Sequence, residues 1–271
     1  MRPLTALLPL LLATAAALPA HPEIEAGLSR LNTLIAADPR DAELYLERGE
    51  LYSRHQEWVQ AEANYLTASE LAPRHAGVAR ARGALALERQ RAAEAKSFLD
   101  EAVRLEPGDA SSRILRARAL TALGNRSGAL ADYDVAMAAV RSPSPDLILE
   151  RAALLEPAAA IRAIDDAIAR IGPVPALELR ALALEEHAGR VDAALNRLDR
   201  LTLAAERKET WLRRRGDLLR RAGREDAARA AYSAALHAIA SLPTWLRESP
   251  ELENLAKELA TLSVPHPSSS P

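Results

Sequence analysis

Three consecutive segments of this chain place small residues at the same positions. Gly49, Gly83 and Ala117 lie 34 residues apart, and three further columns keep that spacing. Two of these columns hold small residues, one with Ala61, Ala95 and Ala129 and the other with Ala68, Ala102 and Ala136. The column between them is bulky and holds Tyr65, Leu99 and Tyr133. A fixed period of this length indicates a repeat architecture in which each repeat is one supersecondary unit.

The pattern inside one period predicts two packed helices. Small residues let the helices approach closely, and the bulky residue one turn away fills the space beside them. Pro73 and Pro107 end the second helices because proline has no N–H to continue the hydrogen-bond ladder. Asp41 and Asp109 stand before the next first helices as N-caps. A single hairpin cannot bury its apolar face, so we expect the hairpins to stack.

Composition agrees with closely packed helices and excludes several classes of function. Apolar residues make up 49% of the chain but aromatic residues only 3%, which favours helix over sheet. The formal charge of −2 argues against a phosphate-binding surface, so no nucleic-acid partner is expected. The chain has no Cys, which excludes a thiolate nucleophile and Cys-ligated zinc. Frequent Ala and Arg are typical of a GC-rich bacterial genome.

The columns resemble the tetratricopeptide repeat, whose period is 34 residues. The resemblance covers the chain from about Glu23 to Pro243. It implies an all-α solenoid of antiparallel helical hairpins, with about six repeats, about fourteen helices and a right-handed superhelical path. The fourth and fifth repeats are expected to be irregular, because the turn at Glu156–Pro157 is short and Leu201 occupies a small column.

The first residues have the pattern of a signal peptide. Arg2 precedes an apolar stretch from Leu4 to Leu18, and small residues lead to Ala20. We expect export to the periplasm or the medium, cleavage before His21, and no membrane span after cleavage. A retained anchor is the alternative, although the apolar run is shorter than the ~20 residues of a spanning helix. The expected segments are a signal peptide (1–20), a half-repeat helix (21–41), repeats (42–243), a C-terminal capping helix (244–263) and a disordered tail (264–271).

An arginine immediately precedes the first small column in all six repeats. These residues are Arg48, Arg82, Arg116, Arg151, Arg180 and Arg215. They could form a basic stripe for an acidic ligand, or each could tie its helix to a neighbour. The second interpretation is favoured because the guanidinium presents five donors on a planar fork. Asp132 is well placed for Arg116, and Asn64 is the corresponding acceptor in the first repeat.

The family resemblance also implies a ligand groove along the concave surface of the first helices. The candidate groove residues are Leu46, Glu50, Arg80, Leu87, Ile114, Arg118 and Leu149, followed by Glu178, Glu185 and Arg213. The family's clamp for a peptide carboxylate uses Lys and Asn, but Glu50, Ala84 and Arg118 occupy the Asn positions. A receptor for chaperone tails is therefore disfavoured.

No arrangement of residues in the sequence indicates catalysis. The six histidines are scattered without a metal-ligand spacing, so neither a metal nor a cofactor is expected. The favoured function is a non-catalytic scaffold or adaptor that binds a peptide or protein. The alternatives are an accessory or regulatory subunit of an envelope enzyme complex, or an enzyme with an unrecognised site. A glycan binder would need exposed aromatics, and Trp58, Trp211 and Trp245 are the candidates.

Overall fold

The computed structural model describes residues 22–264, which fold entirely into helices and turns. The expected all-α architecture of helical repeats is confirmed, with fifteen helices in this range. The predicted signal peptide (1–20) and all of the predicted tail except Val264 lie outside the described residues. None of the described helices is long and apolar enough to cross a membrane.

The chain divides into two compact units between Ala139 and Val140. Unit 1 holds α1 (Pro22–Ala37), α2 (Ala42–Arg54), α3 (Trp58–Leu71), α4 (Ala76–Glu88), α5 (Ala92–Leu105), α6 (Ala110–Ala122) and α7 (Arg126–Ala139). Unit 2 holds α8 (Pro145–Ala153), α9 (Pro157–Ile171), α10 (Pro175–His187), α11 (Val191–Ala204), α12 (Glu209–Arg221), α13 (Glu225–Ala240), α14 (Thr244–Arg247) and α15 (Pro250–Ser263).

In unit 1 the small columns lie at the crossings of the hairpin helices. Ala61, Ala95 and Ala129 have no exposed surface. A Cβ on Gly49 would lie 2.5 Å from Cε1 of Tyr65, so only glycine allows α2 and α3 to pack this closely. The bulky column fills the space beside each crossing, since Tyr65 and Leu99 are buried. Asp41 and Asp109 cap α2 and α6 as predicted, each accepting main-chain N–H bonds through its carboxylate.

Unit 2 keeps the hairpin pattern with local changes. Its first helix, α8, has only nine residues, and Pro157 begins α9 soon after it. Leu201 is half-buried against the core of this unit, at a position where the other repeats carry alanine. Ser249 caps α15, which buries Leu252 and Leu259 against the same core.

Candidate interaction groove and arginine network

In unit 1 the first helices of three repeats, α2, α4 and α6, lie next to one another. Between them is an open hollow whose walls carry both charges and small apolar residues. Its lining residues are Glu50, Ser53, Arg54, Tyr65, Arg80, Ala81, Ala84 and Leu115. The structure therefore brings two of the predicted groove residues, Glu50 and Arg80, into one site.

Arg80 joins this hollow to the start of α6. Its Nη1 donates to Asp109 Oδ2 at 3.2 Å, and about a third of its side chain stays exposed. Asp109 also accepts from the Ser112 hydroxyl at 2.5 Å and from the Ser112 N–H at 3.0 Å. Burial raises the pKa of Asp109, but the bonds from Ser112 and Arg80 outweigh it and hold that pKa below its usual value. The carboxylate therefore stays charged and holds Arg80 in place.

Tyr65, whose side chain is buried, also lines the hollow. Burial raises the pKa of the Tyr65 phenol to about 12. A hydrogen bond with Ser53 lowers this pKa and the charge of Glu50 raises it, but burial has the largest effect. Tyr65 is therefore neutral at physiological pH.

Leu46 is the predicted groove residue that the structure places elsewhere. Its side chain is only 4% exposed and belongs to the core cluster that includes Ala61, Val78 and Leu85. The expectation that it faces a ligand was wrong, because this side of α2 turns into the hairpin core. It is a packing residue.

The other predicted groove residues differ in how accessible they are. Leu87 and Ile114 are half-buried, and Leu87 packs against the cluster around Leu99. Arg118 is exposed on α6. Leu149 is half-buried on α8, which belongs to unit 2. The most exposed of the predicted groove residues on unit 1 are therefore charged, and the apolar ones are half-buried or buried.

Glu178 and Glu185 were expected on the groove surface, but both are buried. They surround Arg197, which is only 3% exposed. Arg197 donates to Glu178 at 2.6 Å and to both oxygens of Glu185 at 2.8 and 2.9 Å. It also reaches Asp165 on α9 at 2.8 Å, while Arg200 makes a second pair with Glu178. These carboxylates are committed to the interior, so the expectation that they contact a ligand was wrong.

Burial raises the pKa of Glu178, but hydrogen bonds from Arg200 and Arg197 outweigh it and lower that pKa overall. Burial likewise disfavours the charged form of Arg197, yet its bonds to Glu185, Asp165 and Glu178 raise its pKa. Arg197 and Glu178 are therefore both charged, and each has a partner of opposite charge.

The predicted structural role of the arginine column is confirmed at Arg48 and Arg116. Arg48 donates to Asn64 on the next helix and to Asn32 on the preceding one, both at 2.7 Å. Arg116 donates twice to Asp132 at 2.7 Å and once to Asp100 at 3.1 Å. Each guanidinium therefore ties together three helices.

Two other members of the column have different partners. Arg215 pairs with Asp199 on the preceding helix. Arg82 donates to Ser69 Oγ at 3.3 Å and stacks over the ring of Phe98, 4.0 Å from its centroid. Phe98 stands three residues after the second small column, where the flanking repeats carry Asn64 and Asp132.

In the fifth repeat the arginine that links the two helices lies on the second helix instead of the first. Arg180 is exposed, and its guanidinium has no partner among residues 22–264. Arg197 stands three residues after Ala194 of the second small column, so it occupies the position of Asn64 and Asp132. The cation has moved to the second helix and the carboxylates to the first. The column position was visible in the sequence, but the exchange of charge between helices was not identified.

Other candidate residues have structural positions. Trp58 and Trp211 pack against the cores of their units, so neither is an exposed platform for a glycan. Trp245 is 78% exposed on α14. Within the described part of the chain, no three His, Cys, Asp or Glu side chains are grouped to hold a metal ion.

Comparison with known protein families matches part of this chain. Residues 159–248 match the sequence model of the tetratricopeptide repeat-like domain. Comparison with curated protein sequences gave no match.

Solved structures of tetratricopeptide repeat proteins share the fold. A tetratricopeptide repeat protein from Parabacteroides merdae is 15% identical, with a TM-score of 0.55 over 88% of this chain and 93% of that one. PilW, described as a widely conserved type IV pilus biogenesis factor, is 18% identical, with a TM-score of 0.59 over 70% of this chain and 91% of its own. PilF of Pseudomonas aeruginosa is 21% identical, with a TM-score of 0.57 over 66% and 83% of the two chains.

Proposed function

We propose that this chain, a protein of tetratricopeptide-type repeats, is a non-catalytic scaffold that binds a segment of another protein along the first helices of unit 1. The observation that carries this is the hollow between α2, α4 and α6, where Glu50 and Arg80 stand beside Ala84 and Leu115. Stacked helical hairpins present extended surfaces that such proteins use for binding.

The charges of the hollow favour an amphipathic partner. Arg54 and Arg80 line the hollow together with Glu50 and Leu115. Ile114 and Arg118 lie on α6, the helix that carries Leu115. A segment with both acidic and apolar side chains would complement this surface better than a highly charged one. Standard protein contacts bury about 800 Å² per partner, so residues beyond the hollow would also take part.

The test replaces Arg80, Ile114 and Arg118 together with alanine and measures binding of the native partner. We expect capture to be lost while the circular dichroism spectrum stays helical. The matched control replaces Arg74, Arg104 and Val135, two exposed arginines and an exposed aliphatic residue of the same unit. Undiminished capture by a folded triple groove variant would place the binding surface elsewhere on the chain.

We also propose that the protein is exported and acts in the periplasm or outside the cell. Residues 1–20 carry the signal-peptide pattern, and PilW, which shares the fold, is described as a type IV pilus biogenesis factor. N-terminal sequencing of the native protein is expected to begin near His21. A native chain that begins at Met1 would replace the exported scaffold with a membrane-tethered one.

A further inference from the structure

We propose that unit 1 has a second interaction site, an apolar pocket between α3, α4 and α5 that takes an aromatic side chain flanked by carboxylates on a partner protein. This site is distinct from the hollow of the proposed groove, although Tyr65 borders both. The hollow is lined by Arg80 and Ala84 of α4, whereas the pocket is lined by Arg82 and Ala86. Two residues along a helix correspond to a rotation of about 200°, so the pocket lies on the opposite face of α4.

The pocket exists because the second repeat departs from its neighbours. Phe98 stands at the position that Asn64 and Asp132 occupy in the neighbouring repeats. A phenylalanine offers no hydrogen-bond acceptor, so none reaches Arg82 from α5. The pocket has a volume of about 140 Å³, and its lining includes Leu66, Leu85, Ala86 and Phe98 together with the charged side chains of Glu62 and Arg82. Apolar cavities of about 150 Å³ accept a benzene molecule, so one phenyl ring fits here.

The rim of the pocket has an unbalanced positive charge. Arg89 pairs with Glu62, and Arg91 lies 3.6 Å from Glu62 and 3.4 Å from Glu94. Three arginines and two glutamates leave one positive charge. It falls to Arg82, which has no carboxylate within ion-pairing distance among residues 22–264 and contacts Ser69 Oγ and the Phe98 ring instead. A carboxylate beside the incoming ring would supply the missing partner.

The apolar surface extends beyond the pocket along α3. Leu66 is 50% exposed and Val59 is 74% exposed, and both lie on the same helix face as Glu62. A single small aromatic acid would leave this strip uncovered. A helical or extended protein segment with a second apolar residue would cover it, which is why we assign the site to a protein partner.

The experiment titrates the full chain into a fluorescently labelled helical peptide that carries Phe and Leu four positions apart with Glu at the flanking positions. Replacing Phe by Ala in the peptide should weaken binding roughly tenfold or more, the effect of losing one buried aromatic side chain. Replacing Glu by Gln in the peptide should weaken binding several-fold by removing the partner of Arg82.

Variants of the protein connect these effects to named residues. Arg82→Gln should remove the preference for the Glu peptide over the Gln peptide, and Arg82→Lys should retain it. Leu66→Glu should weaken binding of both peptides. Leu203→Glu, at an 83% exposed site of unit 2, should leave binding unchanged.

Three results would overturn the proposal. Equal affinity for the Phe and Ala peptides would show that the pocket takes no ring. A preference for Glu that survives in a folded Arg82→Gln variant would remove Arg82 from the site. Binding of 3-phenylpropionate as tight as that of the peptide would mean that the strip on α3 contributes nothing and the pocket serves a small ligand.

Discussion

At the scale of single residues, arginine connects the helices of this protein. A buried arginine costs desolvation free energy that only well-placed acceptors offset. Arg116 and Arg197 both meet this condition, although one lies on a first helix and the other on a second helix. The requirement is that cation and carboxylate face each other across the hairpin, and either helix can supply either charge.

Replacing Arg197 by methionine should therefore be strongly destabilising. Glu185 would be left buried without its arginine, and Glu178 would keep only its pair with Arg200. Breaking a buried pair on one side costs about 3–5 kcal/mol. Urea denaturation measures the free energy of unfolding. The matched control is Arg180→Met, which changes an exposed arginine that has no partner among residues 22–264 and should stay within about 0.5 kcal/mol of the parent chain. Similar losses in the two variants would contradict the assigned role of Arg197.

At the scale of helices and turns, the hairpin turn repeats as faithfully as the helix crossings. Gln56, Gln90 and Gly124 occur at the same point of three successive turns, with φ values of 62°, 59° and 75°. Gly189 and Gly223 adopt the same conformation in unit 2. The left-handed region suits glycine, so the two glutamines hold a conformation that is costly for a residue with a Cβ.

Gln90→Gly is expected to stabilise the protein by about 0.5–1 kcal/mol. Relief of the left-handed strain, about 1–2 kcal/mol, exceeds the entropy that glycine loses on folding, about 0.5–1 kcal/mol. The control is the same change at Gln60, an exposed residue inside α3, which should destabilise by about 1 kcal/mol. Thermal unfolding followed by circular dichroism compares the two. The explanation fails if both variants shift the melting temperature downward.

The helix crossings should be the sites most sensitive to side-chain volume. Ala95 has no exposed surface, so Ala95→Leu overpacks the contact between α4 and α5 and should cost about 1–3 kcal/mol. Ala93→Leu places the same side chain on the exposed face of α5 and is the control. If chemical denaturation gives equal stabilities for the two variants, close packing at the small column does not hold the hairpin together.

At the scale of the whole molecule, the chain divides into two compact units. In unit 2 one buried cluster joins α10 to α15, from Leu182 through Tyr232 to Leu259. Neighbouring hairpins supply one another's cores in this kind of fold. The groove and the Phe98 pocket both lie in unit 1, so the proposed binding functions belong to that unit.

Residues 140–264 should fold when produced alone, because their core cluster is contained within them and their length is typical of an independent domain. We expect a helical circular dichroism spectrum and a single cooperative unfolding transition. The control is Leu198→Ala, which removes a fully buried side chain from this core and should lower the midpoint temperature of the transition. A spectrum typical of an unfolded chain would show that unit 2 requires the preceding hairpins.

The sequence by itself determined the fold class and the small residues at the helix crossings. These follow from local rules: small residues at Ala61 and Ala95 let helices approach, and Asp41 and Asp109 supply caps. Periodicity also identified the arginine column and paired Arg116 with Asp132. All of these depend on spacing along the chain, which a sequence displays directly.

Only the tertiary structure decided which side chains face a partner. Leu46 lies on the face of α2 that packs into the core. Glu178 and Glu185 are buried, and both pair with Arg197. The Phe98 pocket depends on three helices that meet around one substituted position. Whether a residue is buried depends on what packs against it from elsewhere in the chain, and that is settled only when the hairpins stack.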